Sequence, residues 1–446
     1  MYRLKSPLRV QMEITEACNN ACSHCYNFWR YVETGARISK DDHRRDGNHF
    51  ARILDMIIEM ESNAVTFTGG EPFLRRDILF DLVAQAKSAG LLVHINTNGA
   101  LIKEDDVSLA RDLKVDHFQV SLMSYNAETH NRLAHAKSHG LTVRAIKMLV
   151  DANQPMSVNM VTSQANWNQV VPTAEMISEL GVKSFSASPI LSCHLSSEHG
   201  ALMLTSDQLK QTMHDLLWVH KHLDLGVYVL EPLVFCAFDA EEREQLSSIL
   251  GSRYCCAGIS DCAISPDGDM RPCILSTETG GNILEDGWIT CWRNLANWKD
   301  PKMLPSDCLT CSRVDLCGGG CREAALSSTG RLNGKDPYMT EPISVDSETH
   351  CQPTGQVELG DDQILMSNPD LFYRQEEFGG TITVGQRCSF LTPSVYEFFI
   401  VLIKDQAFSA RSTATKYGLD LVETNSFLRS LLNNGFLLTM GEGGGQ

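Results

Sequence analysis

The stretch CNNACSHCYNFWR, Cys18–Arg30, places three cysteines in one short loop, directly after a segment that reads as the first strand of the chain. That segment, LRVQMEI (Leu8–Ile14), puts Leu8, Val10, Met12 and Ile14 on one face, the period-two pattern of a strand. Cys18, Cys22 and Cys25 are spaced C-x3-C-x2-C. Thiolates hold iron–sulfur clusters, usually four to a cubane. Three thiols from one loop fill three corners and leave one iron open, and an open metal position is where a substrate or cofactor coordinates. On the triplet alone, a zinc site completed by another ligand such as His24 stays open beside this reading.

The flanking sequence has a βα rhythm. A polar stretch, ETGARISKDDHRRDGNH, follows the cysteines and reads as a mobile insertion. Helical patterns at Phe50–Met60 and Asp77–Ala89 bracket a strand at Ala64–Thr68. Further strands are expected at Leu92–Thr97, His117–Leu122, Ser157–Val161 and Ser184–Ala187, with helical patterns between them. Repeated βα units need a parallel sheet with helices outside. Six of them make a partial or full barrel, with the ligand at the C-terminal ends of the strands. Those ends carry TFTGGEPFL (Thr66–Leu74), INTNG (Ile95–Gly99) and QVSL (Gln119–Leu122). The paired glycines are expected to let the backbone approach a ligand closely.

Composition bounds the setting. The chain has 446 residues, 43% of them apolar, which favours two or three globular domains. No apolar run of about eighteen residues exists, so no membrane span is expected. A formal charge of −17 argues against nucleic acid. The N-terminus MYRLKSPLRV has no apolar signal region, so a cytoplasmic location is expected. Sixteen cysteines in such a chain point to metal ligands rather than disulfides.

From about Tyr254 cysteines become dense and helical periodicity fades, so the segment is expected to need metal to hold its shape. It contains Cys255, Cys256, Cys262 and Cys273, then Cys308, Cys311, Cys317 and Cys321, spaced C-x2-C-x5-C-x3-C, and finally Cys351. By spacing alone, zinc and iron–sulfur are even readings here. Cys193, Cys236, Cys291 and Cys388 have no partner pattern and read as buried structural thiols. Beyond Cys351, FGGTITVGQRCSF reads as a hairpin, and PSVYEFFIVLIKD and ETNSFLRSLLNNGFLL as amphipathic helices, the second stopped by Gly435. From Gln356 onward there are eleven acids against six Lys plus Arg, which speaks against a DNA-binding wing.

Taken together, these motifs resemble the radical S-adenosylmethionine superfamily over about Leu8–Leu230, where the C-x3-C-x2-C loop is followed in order by GGEP, a strand ending in TN and a strand ending in S. The resemblance implies that Cys18, Cys22 and Cys25 hold a 4Fe–4S cluster with an open iron. It implies that Gly69, Gly70, Glu71 and Pro72 hold the methionine amino group of S-adenosylmethionine. Thr97, Asn98 and Ser121 match ribose- and carboxylate-contacting positions, and Arg144 is a positional choice for the carboxylate. An electron from the cluster would cleave the cofactor to methionine and a 5′-deoxyadenosyl radical, which takes a hydrogen atom from the substrate.

The later cysteines resemble the SPASM extension of the same superfamily, which carries two auxiliary 4Fe–4S clusters. Position by position, Cys256, Cys262, Cys273 and Cys321 would hold the first, with Cys255 able to replace Cys256. Cys308, Cys311, Cys317 and Cys351 would hold the second. Two departures matter: Ile274 stands where sulfatase-maturing members carry an acidic base, and Met123 where relatives often carry Asp. No catalytic base is assigned. Arg374, Glu377–Gly380, Val395–Ile403 and the terminal LLNNGFLL resemble a PqqD-like peptide-recognition element.

The expectation is therefore an α/β protein in three parts. Residues 1–235 form a partial (β/α)6 TIM-like barrel, 236–355 a SPASM domain, and 356–446 a small winged-helix-like module. The implied function is modification of a ribosomally made precursor peptide with a leader, served by a donor such as flavodoxin or ferredoxin. A SPASM-type dehydrogenase or a protein or tetrapyrrole maturase is the alternative enzyme. An iron–sulfur electron-transfer protein is the non-enzyme alternative, disfavoured because an electron carrier needs no cofactor cradle.

Overall fold

The computed structural model describes residues 4–27, 45–191, 197–251, 254–295, 298, 301–344, 358–385 and 387–440. The segment expected to be a mobile insertion falls mostly outside these residues, as do Cys193 and Cys351. The chain divides into two compact units, Ser6–Thr349 and a second made of Met1–Lys5 with His350–Gln446.

The larger unit is built on a nine-stranded sheet of order β7-β6-β5-β4-β3-β2-β1-β8-β9. β1 (Arg9–Glu13), β2 (Ala64–Thr68), β3 (Leu92–Thr97), β4 (His117–Ser121), β5 (Met156–Thr162) and β6 (Ser184–Pro189) pair in parallel as the βα rhythm predicts. A short β7 (Gly226–Tyr228) continues the order. Within the cysteine-rich segment β8 (Asp261–Ile264) pairs in parallel with β1, and β9 (Met270–Arg271) returns antiparallel to β8. The segment also contributes to the core: Ile283, Cys291, Trp292, Leu295, Tyr338 and Ile343 join the main apolar cluster.

Each strand sorts its side chains by alternation. Val10, Met12, Phe67, Val93, Ile95, Phe118, Val120, Val158, Met160 and Phe185 are buried in the main apolar cluster. Helices supply the rest of that layer. Gly47–Glu59, for example, starts at Asp46, whose side chain accepts from the His49 amide, and buries Phe50, Ile53, Leu54 and Ile57. The opposite sheet face is polar. Register places Gln11 beside Thr66, Thr66 beside His94 and His94 beside His117. One row further on, Asn96 lies beside Gln119, Ser121 beside Asn159 and Asn159 beside Ser186. The sequence pattern thus yields a sheet with one oily face and one face of amides, hydroxyls and imidazoles.

The smaller unit contains a three-stranded antiparallel sheet, β11 (Phe372–Glu376), β12 (Gly379–Val384) and β13 (Arg387–Leu391). The expected hairpin is β12–β13; β11 is an additional partner. Helices Pro393–Leu402, Ala410–Tyr417 and Leu421–Asn433 complete it, the middle one without a clear pattern in the sequence. Gly435, at φ 74°, ends the last helix in the left-handed region. Leu437–Thr439, read with that helix in the sequence, forms a strand (β14) against β10 (Leu365–Ser367). Gly380 is required here, because a Cβ would lie 2.0 Å from the Tyr396 ring.

Two histidines, buried His130 and half-buried His117, are expected to make the larger unit acid-sensitive. Burial, then the charge of His94, depresses the pKa of His117 from 6.5 to about 4. Burial, then His139, lowers His130 to about 4, and its Nδ1 accepts the Met123 amide at 3.2 Å. The native state therefore keeps both rings neutral while the unfolded chain takes up protons below about 6.5. Stability is expected to hold at pH 7 and to fall between about 6.5 and 4, by up to roughly 3 kcal/mol per ring. His130→Asn keeps an acceptor for Met123. Melting temperatures from pH 7.5 to 4.5 should show a shallower acid limb for this variant than for the wild type.

Candidate functional site

The cysteine loop is held to the strand ends by backbone. The amides of Gly70 and Glu71 donate to the carbonyls of Thr15 and Ala17, each at 2.7 Å. A Cβ on Gly69 would lie 2.3 Å from the Thr15 oxygen, and one on Gly70 1.9 Å from the Ala17 oxygen. The glycines were expected to admit a ligand; their immediate neighbour is the start of the cysteine loop. Tyr26 Oη and Asn27 Nδ2, at the far end of the loop, both donate to the Gly69 carbonyl at 3.0 Å. The amides of Ala21 and Ser23 donate to the carbonyls of Ala134 and Leu133, at the end of helix Ala127–Ala134. The loop is thus pinned at both ends and in the middle.

Glu71 is fully buried and accepts three hydrogen bonds. Thr97 Oγ1 donates to Oε1 at 2.8 Å, the Asn98 amide to Oε2 at 2.8 Å, and the Phe73 amide to Oε1 at 3.1 Å. Burial pushes its pKa up to about 7 against these donors. The Glu71 side chain is therefore a brace between the ends of β2 and β3. Pro72 is buried as the first residue of a short 3-10 turn that follows. Asn98 Nδ2 extends the brace to Asn19 Oδ1 at 2.9 Å and to Cys18 Sγ at 3.7 Å. Ser121 ends β4 beside Asn159 of β5. Arg144 sits exposed on helix His139–Asp151 and donates to the Ile102 carbonyl at 3.2 Å, so it is occupied elsewhere on the helical layer.

The three thiols share one environment. Burial pushes Cys18 up to about 12, with Glu71 and Cys25 adding repulsion. Cys22 is also raised by burial, then by Cys25 and Cys18. Thiols that repel one another in a buried loop are poor anions alone and good ligands for a cationic centre. The donor set fits an iron–sulfur cluster, and the braced strand ends beside it fit a small cofactor.

The second cysteine field separates into two groups. Cys273 is raised to about 12 by burial, then by Glu323 and Cys255, and Cys321 is raised by burial, then by Cys255 and Cys273. Cys255 thus bears electrostatically on both Cys273 and Cys321. Cys256 Sγ donates to the Tyr254 carbonyl at 3.4 Å. Cys262 lies in β8 within the main apolar cluster, its pKa raised by burial and then by neighbouring Asp261. The other group is Cys308, Cys311 and Cys317, which line one cavity. Between the groups runs CGGGC, where Gly318, Gly319 and Gly320 have φ of 60°, 74° and 77°. Three successive left-handed residues reverse the chain between Cys317 and Cys321. Among the described residues, no three His, Cys, Asp or Glu converge on a single-ion site.

Sequence reasoning missed the residues that support this arrangement. Asn19, Tyr26 and Asn27 lie inside the quoted motif but carry no spacing signal of their own. Arg322, buried beneath the glycine turn, donates to the carbonyls of Gly319, Leu332 and Gly334. Its position after Cys321 was the only available hint.

Gly70→Ala is expected to disrupt this site, since its Cβ meets a carbonyl oxygen that cannot swing aside. Iron retained after anaerobic reconstitution should fall sharply and the melting temperature with it. Gly140→Ala is the control. Nothing lies within 4 Å of its Cβ, so the helical substitution should leave iron unchanged and stabilise by about 0.5–1 kcal/mol.

Comparison with known proteins agrees with this geometry. Residues 12–186 match the Radical SAM superfamily. An AdoMet-dependent heme synthase of Methanosarcina barkeri is 25% identical, over 75% of this chain and 96% of its own length. Mycofactocin maturase MftC of Mycolicibacterium smegmatis is 28% identical, over 76% and 84%. Among solved structures, Streptococcus suis SuiB bound to S-adenosylmethionine superposes with a TM-score of 0.60 at 18% identity, covering 75% of this chain and 78% of that one. SuiB has also been solved bound to its precursor peptide SuiA, with a TM-score of 0.59. The parallel sheet and its braced three-thiol loop thus lie within residues 12–186, the part of the chain that matches the Radical SAM superfamily.

Proposed function

We propose that this chain is a radical S-adenosylmethionine enzyme that modifies a ribosomally made precursor peptide. The observation that carries the proposal is the cysteine loop locked onto the ends of β2 and β3 beside a polar sheet face. Likeness to MftC and to the fold of SuiB, which binds a precursor peptide, supports the substrate class.

Cys18, Cys22 and Cys25 would hold the cluster, whose remaining iron would be left for the cofactor. The backbone of Gly69–Pro72 would receive the methionine amino group, with the Glu71 carboxylate committed to bracing. Asn98 and Ser121 orient the remainder, while Thr97 keeps Glu71 in place. Bound together, the cluster and cofactor supply a carbon-centred radical that removes a hydrogen atom from the substrate; the chain supplies orientation and shelter from water. The amides, hydroxyls and imidazoles of the polar sheet face position the peptide.

Two auxiliary clusters complete the reading. One uses Cys255, Cys273 and Cys321, and the other Cys308, Cys311 and Cys317. They would accept the substrate electron or hold a substrate sulfur, and a flavodoxin or ferredoxin of the cytoplasm would supply the reducing electron. No helix among the described residues is long and apolar enough to cross a membrane. The domain boundaries that follow are 1–235, 236–355 and 356–446. The last region recognises the leader by strand addition at the edge of its small sheet. Phe390, 38% exposed on edge strand β13, is the apolar contact offered there.

The resemblance to a heme synthase keeps a tetrapyrrole substrate as the second reading. Mass spectrometry separates the two. Coexpression with a leader-bearing peptide should change the peptide's mass, whereas a mass change confined to a tetrapyrrole would overturn the peptide assignment. Cys22→Ala should abolish 5′-deoxyadenosine production, and undiminished production would remove the radical mechanism altogether.

A further test concerns the C-terminal module. Truncation after Gly355 should leave cofactor cleavage and iron content intact but raise the peptide concentration needed for half-maximal modification by at least tenfold, because a tethered leader raises local concentration. Phe390→Ala should move the same parameter in the same direction. Unchanged half-saturation in both would rule out leader capture.

A further inference from the structure

Four thiols, not three, line the cavity beneath the second half of the cysteine field: Cys236, Cys308, Cys311 and Cys317. We propose that Cys236 supplies the fourth thiolate of the auxiliary iron–sulfur cluster held by Cys308, Cys311 and Cys317. The inference rests on the auxiliary-cluster reading above and names a ligand for it outside the C-x2-C-x5-C run. Nothing in the sequence marks Cys236, which stands alone in LVFCAF some seventy residues upstream.

Three observations place it there. Cys236 lies in the short turn Phe235–Ala237, whose neighbours Val234 and Phe235 line the same cavity. A Cβ on Gly320, three residues after Cys317, would lie 2.5 Å from Val234, so the segment carrying Cys236 packs against the chain that leaves Cys317. The Thr340 amide donates to Cys236 Sγ at 3.4 Å, and Thr340 Oγ1 holds the Cys236 carbonyl. Amide hydrogen bonds to sulfur are the outer-shell feature that orients thiolate ligands and tunes cluster potential.

The surrounding charges suit a thiolate cage. A Cβ on Gly319 would lie 3.5 Å from both Arg322 Nη2 and Cys308 Sγ, so the guanidinium stands close to the thiols. Asp307 lines the cavity, and its carboxylate is paired with Lys335 Nζ at 2.6 Å. That pairing offsets a negative charge which would otherwise oppose four thiolates. The remaining lining, Val314, Met339 and Pro342, is apolar. A pocket lined by four thiols, with its rim carboxylate paired, suits a cluster with no open iron.

The test uses the full chain, anaerobically reconstituted with iron and sulfide. Iron, sulfide and zinc are counted, and the reduced protein is examined by electron paramagnetic resonance. Three cubanes predict about twelve iron atoms in the wild type. Cys236→Ala and Cys308→Ala should each lose or convert the same cluster signal, with a fall of about four iron atoms. Cys351→Ala should keep the signal. Cys236→Ser, nearly isosteric, should fold normally by circular dichroism yet shift that signal, which guards against a misfolded alanine variant. The proposal is overturned if Cys236 variants match the wild type while Cys351→Ala loses what Cys308→Ala loses. About four iron atoms in the wild type, unchanged in Cys308→Ala, would instead remove the auxiliary-cluster reading and this inference with it. Zinc lost alike from Cys236→Ala and Cys308→Ala would keep the four-thiol site and overturn its cluster.

Discussion

The contact on which the site depends is backbone against backbone, Gly69–Glu71 against Thr15–Ala17. Two amide-to-carbonyl bonds at 2.7 Å close it, and neither glycine could carry a Cβ there. The first thiol follows one residue after Ala17. Its position is therefore set by the end of β2 before any metal arrives. The buried Glu71 carboxylate carries the constraint across to β3 through Thr97 and Asn98, and Asn98 returns it to Asn19 and Cys18. An unmade hydrogen bond to a buried carboxylate costs about 1–3 kcal/mol or more, so these elements move together or not at all. The site is preorganised by its brace, and a cofactor bound there meets strand ends already fixed.

A second constraint divides the cysteine-rich segment. Residues 317–321 read CGGGC, and the three glycines are all left-handed. A Cβ at Gly320 would lie 2.5 Å from Val234 and 2.6 Å from Asp336. The turn is thus held between the strap that carries Cys236 and the buried Asp336, whose carboxylate accepts the Cys321 amide at 2.9 Å. Cys317 faces one thiol group and Cys321 the other. The two thiol groups interleave along the chain, so displacing one strains the second, which is a packing reason for the spacing seen in the sequence.

How much of this was legible varied with the physics behind each feature. Strand positions in the sheet followed from alternation and βα order, because burial on one face forces that pattern. The thiol loop and GGEP were legible because close backbone approach and metal ligation restrict residue type. Glu71 as a brace was not, since its partners Thr97 and Asn98 lie a strand away and only folding brings them together. Cys255 over Cys256 was undecidable for the same reason: adjacent residues share every spacing. The role of β8 and β9 in the sheet was hidden by their brevity and by the surrounding glycines and cysteines. Arg144 is a charged residue chosen by offset alone, and its helix places it on an exposed face.

The polar sheet face also bears on the kind of chemistry the enzyme performs. Its fixed charges are already engaged: Arg9 pairs with Asp261, and buried Arg271 pairs with buried Glu13 while donating to the Ser276 carbonyl. Removing one member of such a buried pair costs about 3–5 kcal/mol, so neither carboxylate is readily released to act as a base. Ile274 and the buried Met123 supply no acid where some relatives carry one. What the strands present around these pairs is neutral: Gln11, Thr66, Asn96, Gln119, Ser121, Asn159 and Ser186. Such a face offers hydrogen bonds to a bound molecule without competing for its protons. That suits the proposed reaction, in which a hydrogen atom, rather than a proton, would be removed first and the cofactor would supply the reactive species.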